Sequence, residues 1–209
     1  MTTGLFVSLD GIDGCGKSTQ GRRLADWLAE KGHHVVTCRD PGGTPLGEQI
    51  RDLLLHRRDV AISRRAEMLL YMASRAQLVD EIIKPALESG HTVVADRYLL
   101  ANVVYQGYGG GLDVDELWEV GRVATGGLFP DLTLVLDLDP SLAAERRNRS
   151  PDRLEGEPAD FHRRVREGFL AEARRCAPAV RVIEATGSVD QVWERLQREV
   201  AAFLAGQGG

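Results

Sequence analysis

Cysteine is scarce in this chain, with three in 209 residues: Cys15, Cys38 and Cys176. An odd number without C-x-x-C or metal-ligand spacing excludes a disulfide framework and a cysteine metal site, and reads as free thiols in a reducing compartment. Cys15 alone stands where a helix N-terminus could depress a thiol pKa, although a small residue filling a loop is the plainer reading. No apolar run approaches the roughly 18 residues that a membrane-spanning helix needs. A signal-peptide pattern is also missing, since charge and glycine arrive at Asp10 and Gly11. A cytoplasmic protein with no membrane attachment is expected. Positive charge is in deficit: the formal net charge is −5, which argues against a nucleic-acid partner, whose backbone demands a basic face. The five histidines, His33, His34, His56, His91 and His162, form no constellation and read as loop or surface residues.

What the chain does have is 43% hydrophobic residues, enough for one well-buried core in a length short for two, so a single domain over 1–209 is expected. Short runs rich in Val and Leu at 5–9, 34–38, 92–95, 132–138 and 180–183 are each bounded by Gly, Pro or charge. They read as buried parallel strands. Helical periodicity covers 17–31, 46–56, 63–88, 113–125, 140–149, 157–176 and 188–204. The βαβα alternation predicts an α/β fold, a parallel five-stranded sheet with helices on both faces. Asp139-Pro140-Ser141 and Gly187-Ser188 carry helix-start signals, and Gly32 and Gly90 stand where helices should stop.

The most informative stretch is "DGIDGCGKST" at 10–19, in which Gly11, Gly16, Lys17 and Ser18 satisfy GxxxxGK[ST] between a predicted strand and a predicted helix. The spacing predicts a phosphate loop, Gly11-Ile12-Asp13-Gly14-Cys15-Gly16-Lys17-Ser18-Thr19, that cradles ATP phosphates in backbone N–H groups. Lys17 should reach the β- and γ-phosphates, and Ser18 should ligate Mg²⁺. Asp96 follows the apolar run 93–95 and could hold a water of the same metal ion; Arg97 beside it could bridge two phosphates. As an isolated pair, Asp96-Arg97 also fits a helix cap with a surface partner.

The loop leaves the acceptor open, because water, a side chain or a small phosphate can all receive the phosphoryl group. Two further features bear on it. "ERRNRSPDRLEGE" at 145–157 concentrates arginine, as an anion-binding segment or as a solvated helix end laced with Glu-Arg pairs. Tyr71 and Arg75 are four apart on a predicted helix, which suits gripping a base and equally suits a core aromatic beside a surface arginine.

Taken in order, "FVSLDGIDGCGKST", "RDPGGTPLGEQIRDLLL", "LLYMASRAQLV", "IIKPALESG", "DRY", "YQGYGGGLD", "PDLTLVLDLDP" and "DRLE" run across essentially the whole chain. In these motifs the sequence resembles the bacterial thymidylate kinases, nucleoside monophosphate kinases of the phosphate-loop NTPase type that pass the γ-phosphoryl of ATP to dTMP. The resemblance implies that Tyr71 stacks on thymine while Arg75 bonds its carbonyl edge. It also implies that Asn102 offers its amide carbonyl to the ring N–H, that Gln106 lies near the base, and that Tyr105 packs on the sugar. Arg51 would hold the acceptor phosphate, with Asp13 and Arg97 close to sugar and phosphate. Segment 145–158 would be a mobile lid whose Arg149 and Arg153 neutralise the migrating group. Gly14 stands where some members carry a loop arginine, which implies the lid-arginine type, and a homodimer is implied as well. No side-chain base is needed, because a monophosphate with a second pKa near 6 is already largely ionised at pH 7.

The chain departs from the family pattern at several places. Asp10 and Asp40 replace glutamates, Tyr71 a commoner phenylalanine, Ala101 a serine and Gly110 an arginine. A kinase for another monophosphate such as dUMP or UMP is the near alternative. A nucleotide-dependent switch that only hydrolyses is the distant one, and it lacks an NKxD run.

Overall fold

The computed structural model describes residues 4–57, 59–146 and 153–207. Among these, five parallel strands, β1 (Phe6–Gly11), β2 (Val35–Arg39), β3 (Thr92–Asp96), β4 (Leu132–Asp137) and β5 (Val180–Glu184), form one sheet in the order β2-β3-β1-β4-β5. Parallel neighbours need crossover connections, and helices supply them. These are α1 (Lys17–Glu30), α2 (Pro45–Leu55), α3 (Arg64–Leu78), α4 (Lys84–Glu88), α5 (Leu99–Asn102), α6 (Val114–Ala124), α7 (Pro140–Glu145), α8 (Ala159–Arg175) and α9 (Val189–Gln207). No helix among the described residues is long and apolar enough to cross a membrane.

Side chains alternate between the faces of a strand, so each central strand feeds two cores. Val7, Leu9 and Val94 join Leu24, Leu134 and Phe169 on one side; Phe6, Val93 and Ala95 join Met72, Leu78 and Ile83 on the other. Every residue of β1 is buried, as is all of β3 and β4 except the last residue of each. The outer strands β2 and β5 correct the expectation of five buried strands: Thr37, Arg39, Val182 and Glu184 are exposed. An edge strand has a neighbour on one side only, so a short apolar run there is only partly covered.

The helix starts follow the expected chemistry. The Asp139 side chain accepts the Ser141 N–H at 2.9 Å with Pro140 in the first turn. Ser188 and Gln191 bond each other's backbone N–H groups at 3.2 and 2.9 Å, a reciprocal capping box. Two features were not anticipated. The expected 63–88 helix is interrupted by a π-helical turn, Val79–Ile83, just ahead of Pro85, which has no N–H to donate to the preceding turn. Residues 99–109 are helical, α5 continuing into a π-helical stretch Val103–Gly109. Nearly all of this segment is buried, so it lacks the polar face on which helical periodicity depends.

In register, Leu9 lies beside Asp96, and the Arg97 N–H bonds the Leu9 carbonyl at 2.9 Å. The phosphate loop and the Asp96-Arg97 pair therefore leave the same sheet edge side by side, at the carboxyl ends of the strands.

Candidate active site

The loop after β1 is shaped by its glycines. Gly14 has φ 91°, and a Cβ there would lie 2.2 Å from the Ala143 carbonyl oxygen, so the loop packs directly on α7. Gly16 opens α1 in the left-handed conformation at φ 101°, and no side chain caps it. The first-turn N–H groups of α1 are thus left for an anion. Lys17 is only 6% exposed; its Nζ donates to the Ile12 carbonyl at 2.9 Å and lies 3.8 Å from Asp13 Oδ1. The Cys15 thiol is buried in the same loop, and burial pushes its pKa up, which supports the loop-filler reading over a reactive thiol.

Ser18 Oγ donates to Asp96 Oδ2 at 2.6 Å, uniting the two residues expected at the metal. A hydroxyl and a carboxylate are hard oxygen donors, a set that fits Mg²⁺, which keeps waters and phosphate oxygens as its other ligands. Arg97 has φ 69°, the left-handed region, and is the one described non-glycine residue with positive φ. That conformation turns its guanidinium onto Asp13 Oδ1 at 2.7 Å and Tyr105 Oη at 3.2 Å, while Tyr105 donates to Asp13 Oδ2 at 3.1 Å. Burial alone would raise Asp13, but Arg97 and Lys17 hold its carboxyl well below the usual range. Asp10, one strand residue before the loop, is fully buried and neither carboxylate oxygen has a partner among the described residues. Burial outweighs the pull of Arg97 and Lys17 and lifts its pKa to about 7.

Beside the loop, α3 and the 99–109 segment build a second cavity around a chain of polar contacts. Arg75, 1% exposed, donates from Nε to Asp40 Oδ2 at 2.5 Å and from Nη1 to Asn102 Oδ1 at 3.0 Å. Asn102 Nδ2 donates to Gln106 Oε1 at 2.7 Å, and Gln106 Nε2 to Glu67 Oε1 at 2.9 Å. Glu67 ends the chain in an ion pair with Arg153, whose Nε also donates to the Leu54 carbonyl at 2.8 Å. Arg51 reaches the Pro41 carbonyl at 2.8 Å.

These groups line two adjoining cavities. One is bounded by the loop residues Gly14, Gly16, Lys17, Ser18 and Thr19 with Asp96. The other is walled by Tyr71, Arg75, Asn102, Tyr105 and Gln106, with Leu154 from the arginine segment. Asp13, Asp40, Arg51 and Arg97 line both. Every expected base- and phosphate-contacting residue of the second pocket is thus brought to one place, Tyr71 and Arg75 included. Arg149 lies outside the described residues. Arg153 is described and faces Glu67, whereas Arg146 borders the phosphate-loop cavity.

Sequence reasoning passed over Glu67, Arg146, Leu154 and Glu155. A signal for Glu67 existed, because the i,i+4 spacing that joins Tyr71 to Arg75 extends one step back to it. Asp40 was noticed only as a departure, and its role as the buried partner of Arg75 depends on a contact across 35 residues.

A parallel sheet in this order, a phosphate loop at its edge and a second pocket sharing a wall with the phosphate-loop cleft define a nucleoside monophosphate kinase fold. Comparison with known proteins narrows the class. The family model "Thymidylate kinase" matches residues 9–196. The thymidylate kinase of Clavibacter sepedonicus is 51% identical over 174 residues, 82% of each chain. That of Deinococcus radiodurans is 46% identical over 210 residues, covering 100% of both. The crystal structure of thymidylate kinase from Ehrlichia chaffeensis superposes with a TM-score of 0.77 at 29% identity, over 95% of this chain and 99% of that one. The chain belongs to the thymidylate kinase family.

Proposed function

We propose that the protein transfers the γ-phosphoryl group of ATP to dTMP, giving ADP and dTDP. The observation that carries this reading is the shared wall: Asp13, Asp40, Arg51 and Arg97 line both cavities, so a donor phosphate and an acceptor phosphate meet at the same two guanidinium groups, Arg51 and Arg97. Lys17 and the open N–H groups of α1 take the donor phosphates; Arg51 and Arg97 hold the acceptor phosphate against them. Positioning and charge neutralisation then suffice, because the acceptor oxygen is already largely ionised at pH 7. Bound Mg²⁺ at Ser18 and Asp96 would supply further neutralisation of the phosphate oxygens.

Base choice follows from the pocket's polarity. Thymine presents a carbonyl next to a ring N–H, and the pocket presents the Arg75 guanidinium beside the Asn102 carbonyl, the complementary pair. Cytosine offers the reverse order and is disfavoured. Uracil shares the thymine edge, so the methyl group adds only about 1–3 kcal/mol of discrimination. Tyr71 supplies a face for the ring. A switch that only hydrolyses its nucleotide has no use for this second pocket.

The same reading extends to the whole chain as one cytoplasmic domain. Segment 145–158 acts as a lid, supported by the contributions of Leu154 to one cavity and Arg146 and Glu155 to the other. Homodimerisation is supported by exposed Leu69 on α3 and Val123 on α6. The test is ADP formation from ATP and Mg²⁺ with dTMP, dUMP, UMP, dCMP or no acceptor. Strong stimulation by dTMP supports the proposal; a slow rate indifferent to monophosphates contradicts it.

A further inference from the structure

Resting on that reading of the pocket, we propose that Glu67 is a positioning residue that sets the base specificity, fixing the orientation of the amides that face the acceptor base. The Glu67 side chain has no exposed surface, and its carboxylate can only accept hydrogen bonds when ionised. Arg153 pairs with one of its oxygens, and Arg64 Nη1 lies 3.9 Å from the other, compensating the buried charge. That second oxygen, Oε1, takes the Gln106 amide hydrogen at 2.9 Å.

An acceptor at that end leaves Gln106 one choice. Its NH₂ must turn to Glu67, which points Oε1 at Asn102. Asn102 must answer with its own NH₂, at 2.7 Å, which leaves Oδ1 facing Arg75 and the cavity. From the far end Arg75, a donor only, demands the same orientation of Asn102, and Asp40 anchors Arg75 at 2.5 Å. An amide of Asn or Gln can present either a donor or an acceptor to a ligand. The relay is thus held at both ends, by the Arg75 donor and, thirty-two residues before the 99–109 helix, by a carboxylate that lines neither cavity. The consequence is an acceptor beside the Arg75 donor, the order that a thymine edge matches and a cytosine edge opposes.

Glu67→Gln keeps the shape but lets the residue donate as well as accept, so the relay is held from the Arg75 end alone and the reversed orientation becomes accessible. The measurement is the ratio of kcat/KM for dTMP to that for dCMP, with dTMP and dCMP affinities from calorimetry beside it. Glu67→Gln should lower the ratio by about tenfold or more, mainly through a higher KM for dTMP and a lower KM for dCMP. Glu67→Asp, still acceptor-only, should keep the ratio within about twofold even where overall activity falls. If Glu67→Gln does not fold, Gln106→Leu breaks the next link and should lower the ratio equally. An unchanged ratio in either folded variant overturns the proposal, as does an equal fall in Glu67→Asp and Glu67→Gln. A wild-type protein with no preference for dTMP over dCMP overturns the reading of the pocket itself, and this proposal with it.

Discussion

Lys17 sits almost wholly buried with its ammonium on the loop's own Ile12 carbonyl. Replacing it with methionine keeps the packing and removes the charge aimed at the donor phosphates, and kcat should fall roughly 10²–10³-fold, as read by ADP release. Asp10 gives a second prediction at the same scale. Its pKa rises from 3.8 to about 7 on folding, so the native state holds this proton more tightly than the unfolded chain does. The associated stability is fully present below pH about 4 and is lost as pH rises through 7. Asp10→Asn cannot ionise, and at pH 8 it should be more stable than the parent by about 1–3 kcal/mol, with a clearly smaller gap at pH 5. Thermal melts of both proteins at the two pH values check this. The Gly-rich loop with Lys17 and Ser18 stands out in the sequence because its pattern is carried by short spacing, whereas the contact of Ser18 with Asp96 spans 78 residues. Asp10 was visible only as a shorter side chain than expected; its unpartnered burial depends on the strands on either side of β1.

At the scale of elements, the strands and most helices follow from local pattern, and their ends from caps. Asp139→Ala deletes the side-chain acceptor for the Ser141 N–H and should cost about 1 kcal/mol, a drop of roughly 2–4 °C in Tm for a domain of this size. Gly14→Ala is a harsher change: besides the positive φ, its Cβ would meet the Ala143 carbonyl at 2.2 Å. The loop must then move off α7, and ATP affinity measured by calorimetry should fall at least about tenfold. The 99–109 segment marks where local pattern stops being informative. It is buried on nearly all sides, so its helical form is set by the packing of α8 and α3 around it rather than by its own alternation. The loss matters for function, because this segment carries Asn102, Tyr105 and Gln106 into the acceptor cavity.

At the scale of the whole molecule, the α/β fold with a parallel sheet could be read from the alternation of elements, but the strand order could not. That order places β3 beside β1, so that Arg97 emerges against the phosphate loop and turns back onto Asp13. From it follow two cavities with a common wall, the arrangement on which the functional account rests. Sedimentation at micromolar concentration should show a homodimer. The central claim is that the terminal phosphate of the bound nucleotide crosses this wall to dTMP instead of leaving as inorganic phosphate. Following the label of [γ-³²P]ATP in the presence of Mg²⁺ and dTMP tests it most directly. The account predicts label in dTDP, with inorganic phosphate a minor product; label accumulating in inorganic phosphate, with none in dTDP, would contradict it.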